Sequence, residues 1–130
     1  MKTILLSIGI AVVLIVGTIL FARTTNNPND LLAGLNNVSV VDGTQIIEIS
    51  AKGGYAPQTT LAKAGVPTII RMSTKGTFDC SSSLIIPAID YRGSLPMTGA
   101  TDIPVPPQTA GAEIQGLCGM GMYNFTIQFN

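Results

Sequence analysis

Near the carboxyl end of the 130-residue chain stands Leu117–Tyr123, LCGMGMY, in which one cysteine and two methionines alternate with glycines. Cys118, Met120 and Met122 are soft sulfur donors, and the glycines beside them remove bulk and leave the backbone free to wrap. A methionine is most often a filler of core gaps. The strand pattern that follows places Tyr123 and Phe125 on the core phase, and carried backwards it puts all three sulfurs on the opposite phase. Filler does not belong there. The spacing instead allows the three sulfurs to converge on one point.

Thiolate and thioether donors together select monovalent copper. The chain contains no histidine, so zinc in its usual Cys/His cage and copper in a blue, two-imidazole site both lack ligands. The seven acidic residues are scattered singly, which leaves calcium and magnesium without a cage. Sulfur-only ligation also holds copper in its reduced state and disfavours rapid electron transfer. The only other cysteine is Cys80, in KGTFDCSSS, 38 residues before Cys118 and between two strand candidates. A β-sandwich can bring its loop to the same pole. Two readings remain open: Cys80 as a fourth sulfur ligand, or a structural Cys80–Cys118 disulfide. The adjacent thioethers favour the first, since a structural disulfide has no use for them.

The elements that must position these residues read as short strands. Thr44–Ser50, Thr59–Ala64, Pro67–Ser73, Ser82–Ile86, Thr101–Pro106, Ala112–Leu117 and Tyr123–Phe129 are rich in β-branched residues and separated by Gly and Pro turn signals. No helical period survives after Thr44. Seven short strands in so few residues imply an all-β antiparallel sandwich or small barrel. Asp42-Gly43 forms the turn that opens the folded part. In the last strand Tyr123, Phe125, Ile127 and Phe129 share the core face.

Ahead of this domain, Thr3–Ala22 is an uncharged apolar run of twenty residues, about 30 Å long as a helix. It exceeds the apolar core of a secretory signal, and Phe21-Ala22-Arg23 is a poor cleavage site. The expected organisation is therefore a single-pass membrane anchor over residues 1–22, a polar spacer over 23–43, and the folded domain over 44–130. Charge on the two flanks of the anchor is nearly balanced and leans towards the domain lying outside the cell membrane. The formal net charge is zero, with aromatic residues only 5% of the chain, and neither a phosphate-tracking surface nor a base-stacking platform is available. Ser81-Ser82-Ser83 has no base beside it, and no enzyme activity is expected. Asp79 and Asp90-Tyr91-Arg92 read as solvated loop charges, and Met97, in LPMTG, as a packing residue within possible reach of the sulfur pole.

From about Thr44 to Phe129 the chain resembles a cupredoxin domain, on the strength of GGYAPQTTLAKAGVPTIIRMS, FDCSSSLIIPAID and LCGMGMYNFTIQF. More narrowly, CGMGM with one distant cysteine and an amino-terminal anchor resembles the membrane-anchored, cupredoxin-fold Cu(I) chaperones of bacterial copper resistance. That resemblance implies a Greek-key β-sandwich binding Cu(I), up to two ions, through Cys80, Cys118, Met120 and Met122, with the two thiolates able to bridge. It implies hand-over by ligand exchange to a copper-exporting P-type ATPase, with no small-molecule substrate. Cys80 then stands where electron-transfer cupredoxins keep their first histidine. A structural or protein-interaction sandwich at the membrane, stapled by Cys80–Cys118, is the alternative from another class, and electron transfer a third.

Overall fold

The computed structural model describes residues 37–130, together with Met1 and Ile15. The expected anchor, apart from those two residues, and the spacer as far as residue 36 lie outside the described residues. Among the described residues no helix is long and apolar enough to cross a membrane.

Ten strands form two five-stranded sheets. The first sheet holds β1 (Val38–Val41), β2 (Thr44–Ala51), β5 (Thr68–Lys75) and β8 (Thr98–Val105) in that order, with β3 (Tyr55–Ala56) paired to β2. The second runs β4 (Thr59–Ala62), β10 (Asn124–Phe129), β9 (Glu113–Cys118), β6 (Ser83–Ile86), β7 (Tyr91–Ser94). The expected sandwich is present. Its sheets, however, are mixed and not purely antiparallel: β2 pairs with β5, and β4 with β10, in parallel. The cause is the route of the chain. After β2 it turns through β3, crosses to the second sheet as β4, and returns as β5 in its original direction, the crossover that a parallel pair requires.

Each sheet buries alternate residues, as a half-covered strand must. Ile47, Ile49, Ile70, Met72 and Ile103 face inward from the first sheet, and Leu84, Ile86, Ile114, Phe125, Ile127 and Phe129 from the second. Fully burying each such side chain contributes about 1.5–3 kcal/mol. Met72 is the filler methionine of the molecule. Gln45, polar but buried, is satisfied by Lys63 N–H, Lys63 C=O and the Thr68 hydroxyl.

Three strands, β1, the two-residue β3 and β7, lie where the sequence gives no clear pattern. β1 falls in the expected spacer, joined to β2 by Asp42 and Gly43, both left-handed (φ 51° and 77°), in the two-residue hairpin geometry that Asp-Gly favours. Asn37 ties its start across the sandwich, its Nδ2 donating to Glu48 O of β2 and to Thr60 Oγ1 of β4. β7 contains Tyr91-Arg92, expected in a loop, and pairs with β6.

Candidate metal centre

Two adjacent strands of the second sheet bring the cysteines together. Cys118 is the last residue of β9 and sits opposite Leu84 of β6. Cys80 opens a single 3-10 turn, Cys80–Ser82, that leads directly into β6. Both are free thiols, near enough for each to shift the other's ionisation. The placement of Cys118 on the polar phase is corrected here: it is 1% exposed. It follows the inward alternation of its own strand, after Ile114 and Gly116, and the loop between β9 and β10 resets the phase.

That loop is tight. Cys118 N–H donates to Tyr123 O, Gly121 N–H to Cys118 O, and Gly119 N–H to Ser83 O, at 2.8–3.0 Å. Gly121 adopts φ 71°, a left-handed conformation suited to glycine. The turn wraps the backbone around the sulfur: the N–H groups of Met122 and Tyr123 donate to Cys118 Sγ at 3.2 and 3.3 Å. Met120 and Met122 themselves stand out from the rim, 81% and 65% exposed. The site is thus graded, from a buried thiol through the half-buried Cys80 to two thioethers in solvent.

The Cys80 turn is held from three sides. Thr77, buried just before it, donates its hydroxyl to Ala51 O at 2.5 Å. Leu95 N–H donates to Ser82 O at 2.6 Å. Asp79 caps the turn: its carboxylate accepts from Ser81 N–H (2.8 Å), from the Ser81 hydroxyl, and from Gly53 N–H of the β2–β3 connection (2.7 Å). Asp79 is therefore a built part of the site rather than a free loop charge. Its signal was present in the sequence as Asp79-Cys80-Ser81, an N-cap residue at the head of a turn.

Electrostatics separates the two thiols. Burial pushes Cys118 up, but the Cys80 thiol donating to it and the N–H groups of Tyr123, Met120 and Met122 outweigh that, and Cys118 is shifted down. Cys80 is shifted up, first because the bond to Cys118 retains its proton, with burial and the Cys118 and Asp79 charges adding to the effect. Of the two, Cys118 is the first to ionise and Cys80 the one that keeps its proton longer. Near the pair stands Tyr55, its hydroxyl donating to Ser83 O at 3.4 Å, a residue that sequence reasoning did not single out. Burial raises its phenol strongly, and the charges of Cys118, Cys80 and Asp79 raise it further. Asp79 is held below its ordinary value of 3.8, chiefly by the Ser81 hydroxyl.

Two thiols able to ionise, beside two exposed thioethers and no imidazole, form a donor set for a soft monovalent cation. Among the described residues no group of three or more His, Cys, Asp or Glu gathers as a cage for a harder ion. A cleft lined by Gly111, Glu113, Gln128 and Asn130 lies at the other end of β9 and β10, away from the sulfurs.

No family model matches the chain, and no curated protein is similar to it. Solved structures do match. A copper binding protein, determined in solution in its apo form, is 26% identical with a TM-score of 0.65, covering 72% of this chain and 94% of its own. The metal-binding domain of the Cu(I)-exporting P-type ATPase CopA of Streptococcus pneumoniae D39 is 22% identical with a TM-score of 0.63, covering 72% and 92%. The chain shares its fold with copper-binding domains. Auracyanin B is a more distant match, 10% identical with a TM-score of 0.44, covering 75% and 96%.

Proposed function

We propose that this chain is a membrane-tethered carrier of Cu(I), a cupredoxin-like chaperone or buffer in copper resistance that passes its cargo to a copper-exporting P-type ATPase. The observation that supports it most is the pair of free, neighbouring thiols, Cys80 and Cys118, with backbone N–H groups already aimed at Cys118 Sγ. Those donors stabilise negative charge on the sulfur before any metal arrives, so little reorganisation accompanies binding. The likeness in fold to a copper binding protein and to the metal-binding domain of a Cu(I) exporter agrees with this reading. The apolar run at residues 3–22 supplies the tether in this reading.

The residues divide the work by charge and exposure. Cys80 and Cys118 give up their protons and hold Cu(I) as thiolates, which can bridge to a second ion. Met120 and Met122 are neutral, weaker donors in solvent, where an acceptor's sulfur can reach. Copper enters and leaves as Cu(I), one ligand at a time, with no change of oxidation state; only the two S–H bonds break on loading, their protons passing to solvent, and they re-form on release.

Titration of the full chain with Cu(I) against a competing chelator tests this. The wild type outcompetes the chelator, and a Cys80→Ser/Cys118→Ser double variant does not. Equal curves for the two proteins would end the copper reading.

A further inference from the structure

Among the methionines of residues 37–130, Met72 fills the core and Met120 and Met122 flank the thiols, whereas Met97, read from the sequence as a packing residue, is half-exposed. It sits in the connection between β7 and β8, a segment bonded to the Cys80 loop on both sides of the cysteine. On one side Leu95 N–H donates to Ser82 O at 2.6 Å; on the other Thr77 N–H donates to Met97 O at 2.9 Å. Gly76 N–H to Thr98 Oγ1, at 3.0 Å, reinforces the second contact. Residues 95–97 therefore run alongside residues 77–82, with Cys80 between the two clamps. Leu95 anchors the segment in the core, whereas Met97 is 51% exposed.

We propose that Met97 is a further thioether ligand for a soft monovalent cation, Cu(I) or Ag(I), at the rim of the Cys80 side of the site. Met120 and Met122 supply soft donors from the β9–β10 loop, and Met97 supplies one from the opposite loop. The second, outer ion is then held from two sides and can leave towards either. This rests on the Cu(I) reading above and adds a ligand to it. A soft donor suits the position: an exposed thioether on a segment clamped to the loop that carries Cys80 meets the donor preference of such an ion and of few others.

The experiment uses the full chain with its methionine methyl groups labelled with carbon-13, each signal assigned by a single Met→Leu change. The chain has five methionines, and Met72, wholly buried, is the internal control. Ag(I) and Cu(I) are the probes. On adding the second equivalent, the Met97 methyl is expected to shift as far as those of Met120 and Met122, while Met72 stays still. Met97→Leu, which conserves volume at an exposed site, should weaken the second equivalent roughly tenfold, in the range that loss of a supporting group costs a metal site, and leave the first unchanged. Shifts at Met120 and Met122 with none at Met97 would overturn this inference and leave the Cu(I) reading standing. No methyl shift, together with no loss on Cys80→Ser/Cys118→Ser, would overturn both.

Discussion

The ring of Phe125 lies on the bare backbone of Gly116, its partner across β9 and β10: a Cβ added at Gly116 would stand 2.2 Å from two ring carbons. The ring cannot easily retreat, because Tyr55 packs edge-on against it at 5.2 Å and 82°. Gly116→Ala is therefore expected to destabilise the fold by about 1–3 kcal/mol, despite the helpful loss of glycine flexibility in the unfolded chain. Chemical denaturation checks this. A change within experimental error would show that the ring has room to move.

Asp79 ties the Cys80 turn to the β2–β3 connection, and its carboxyl is held below 3.8 by the bonds it accepts. A depressed folded value means that the ionised form favours folding. Its contribution is present above the ordinary carboxylate value and is lost as pH falls through the lower one. Asp79→Asn should thus be less stable than wild type above about pH 4, with the gap closing in more acid solution. Unfolding curves across pH measure the gap, and a constant gap would mean that the side chain acts by shape alone.

Copper loading should displace protons in a pH-dependent way. Cys118 ionises below the ordinary thiol value of 9.0 and Cys80 above it. Below both values the first Cu(I) held by the pair displaces two protons; between them it displaces one, so affinity rises with pH. Proton release in weakly buffered solution reads this directly. Loading without proton release at any pH would exclude thiolate ligation.

Cysteine and methionine variants should separate cleanly. Cys80→Ser or Cys118→Ser abolishes tight binding, whereas Met120→Leu or Met122→Leu leaves it and weakens only a second, looser site. The two methionines are 81% and 65% exposed, so their replacement should change stability by about 0.5 kcal/mol or less. Stoichiometry and thermal unfolding of each variant provide the check. A Met→Leu change that unfolded the domain would reveal a packing role instead.

How much of this was legible in the sequence depended on how local the signal was. Strands such as β5 and β10 alternate strictly, and Ile70, Met72, Phe125 and Ile127 are buried as that alternation requires. β1 hides in a polar segment because it is an edge strand with Val40 and Val41 exposed, and β3 has two residues and no period. The parallel pairings depend on the crossover of the chain, which no local pattern encodes. At the site, the sulfur residue types were legible, as was the exposure of Met120 and Met122. The burial of Cys118 was not, because a turn through Gly121 separates its phase from that of Phe125. Asp79 carries a local cap signal, but the Gly53 N–H that ties it to the β2–β3 connection comes from 26 residues away and has no local signature.

The register of β6 against β9 fixes Cys118 opposite Leu84, and the turn bearing Cys80 runs straight into β6. One thiol thus hangs from a rung of that ladder and the other from the turn that opens it, whereas Met120 and Met122 ride on a short loop at its end. Loops of this kind move in nanoseconds to microseconds, while core strands open only in rare, sub-global unfolding. Traffic of a cation over the rim and melting of the seat beneath it therefore run on separate clocks. If the chain carries Cu(I) as proposed, the amides of β9 can stay protected from exchange through many rounds of loading and release.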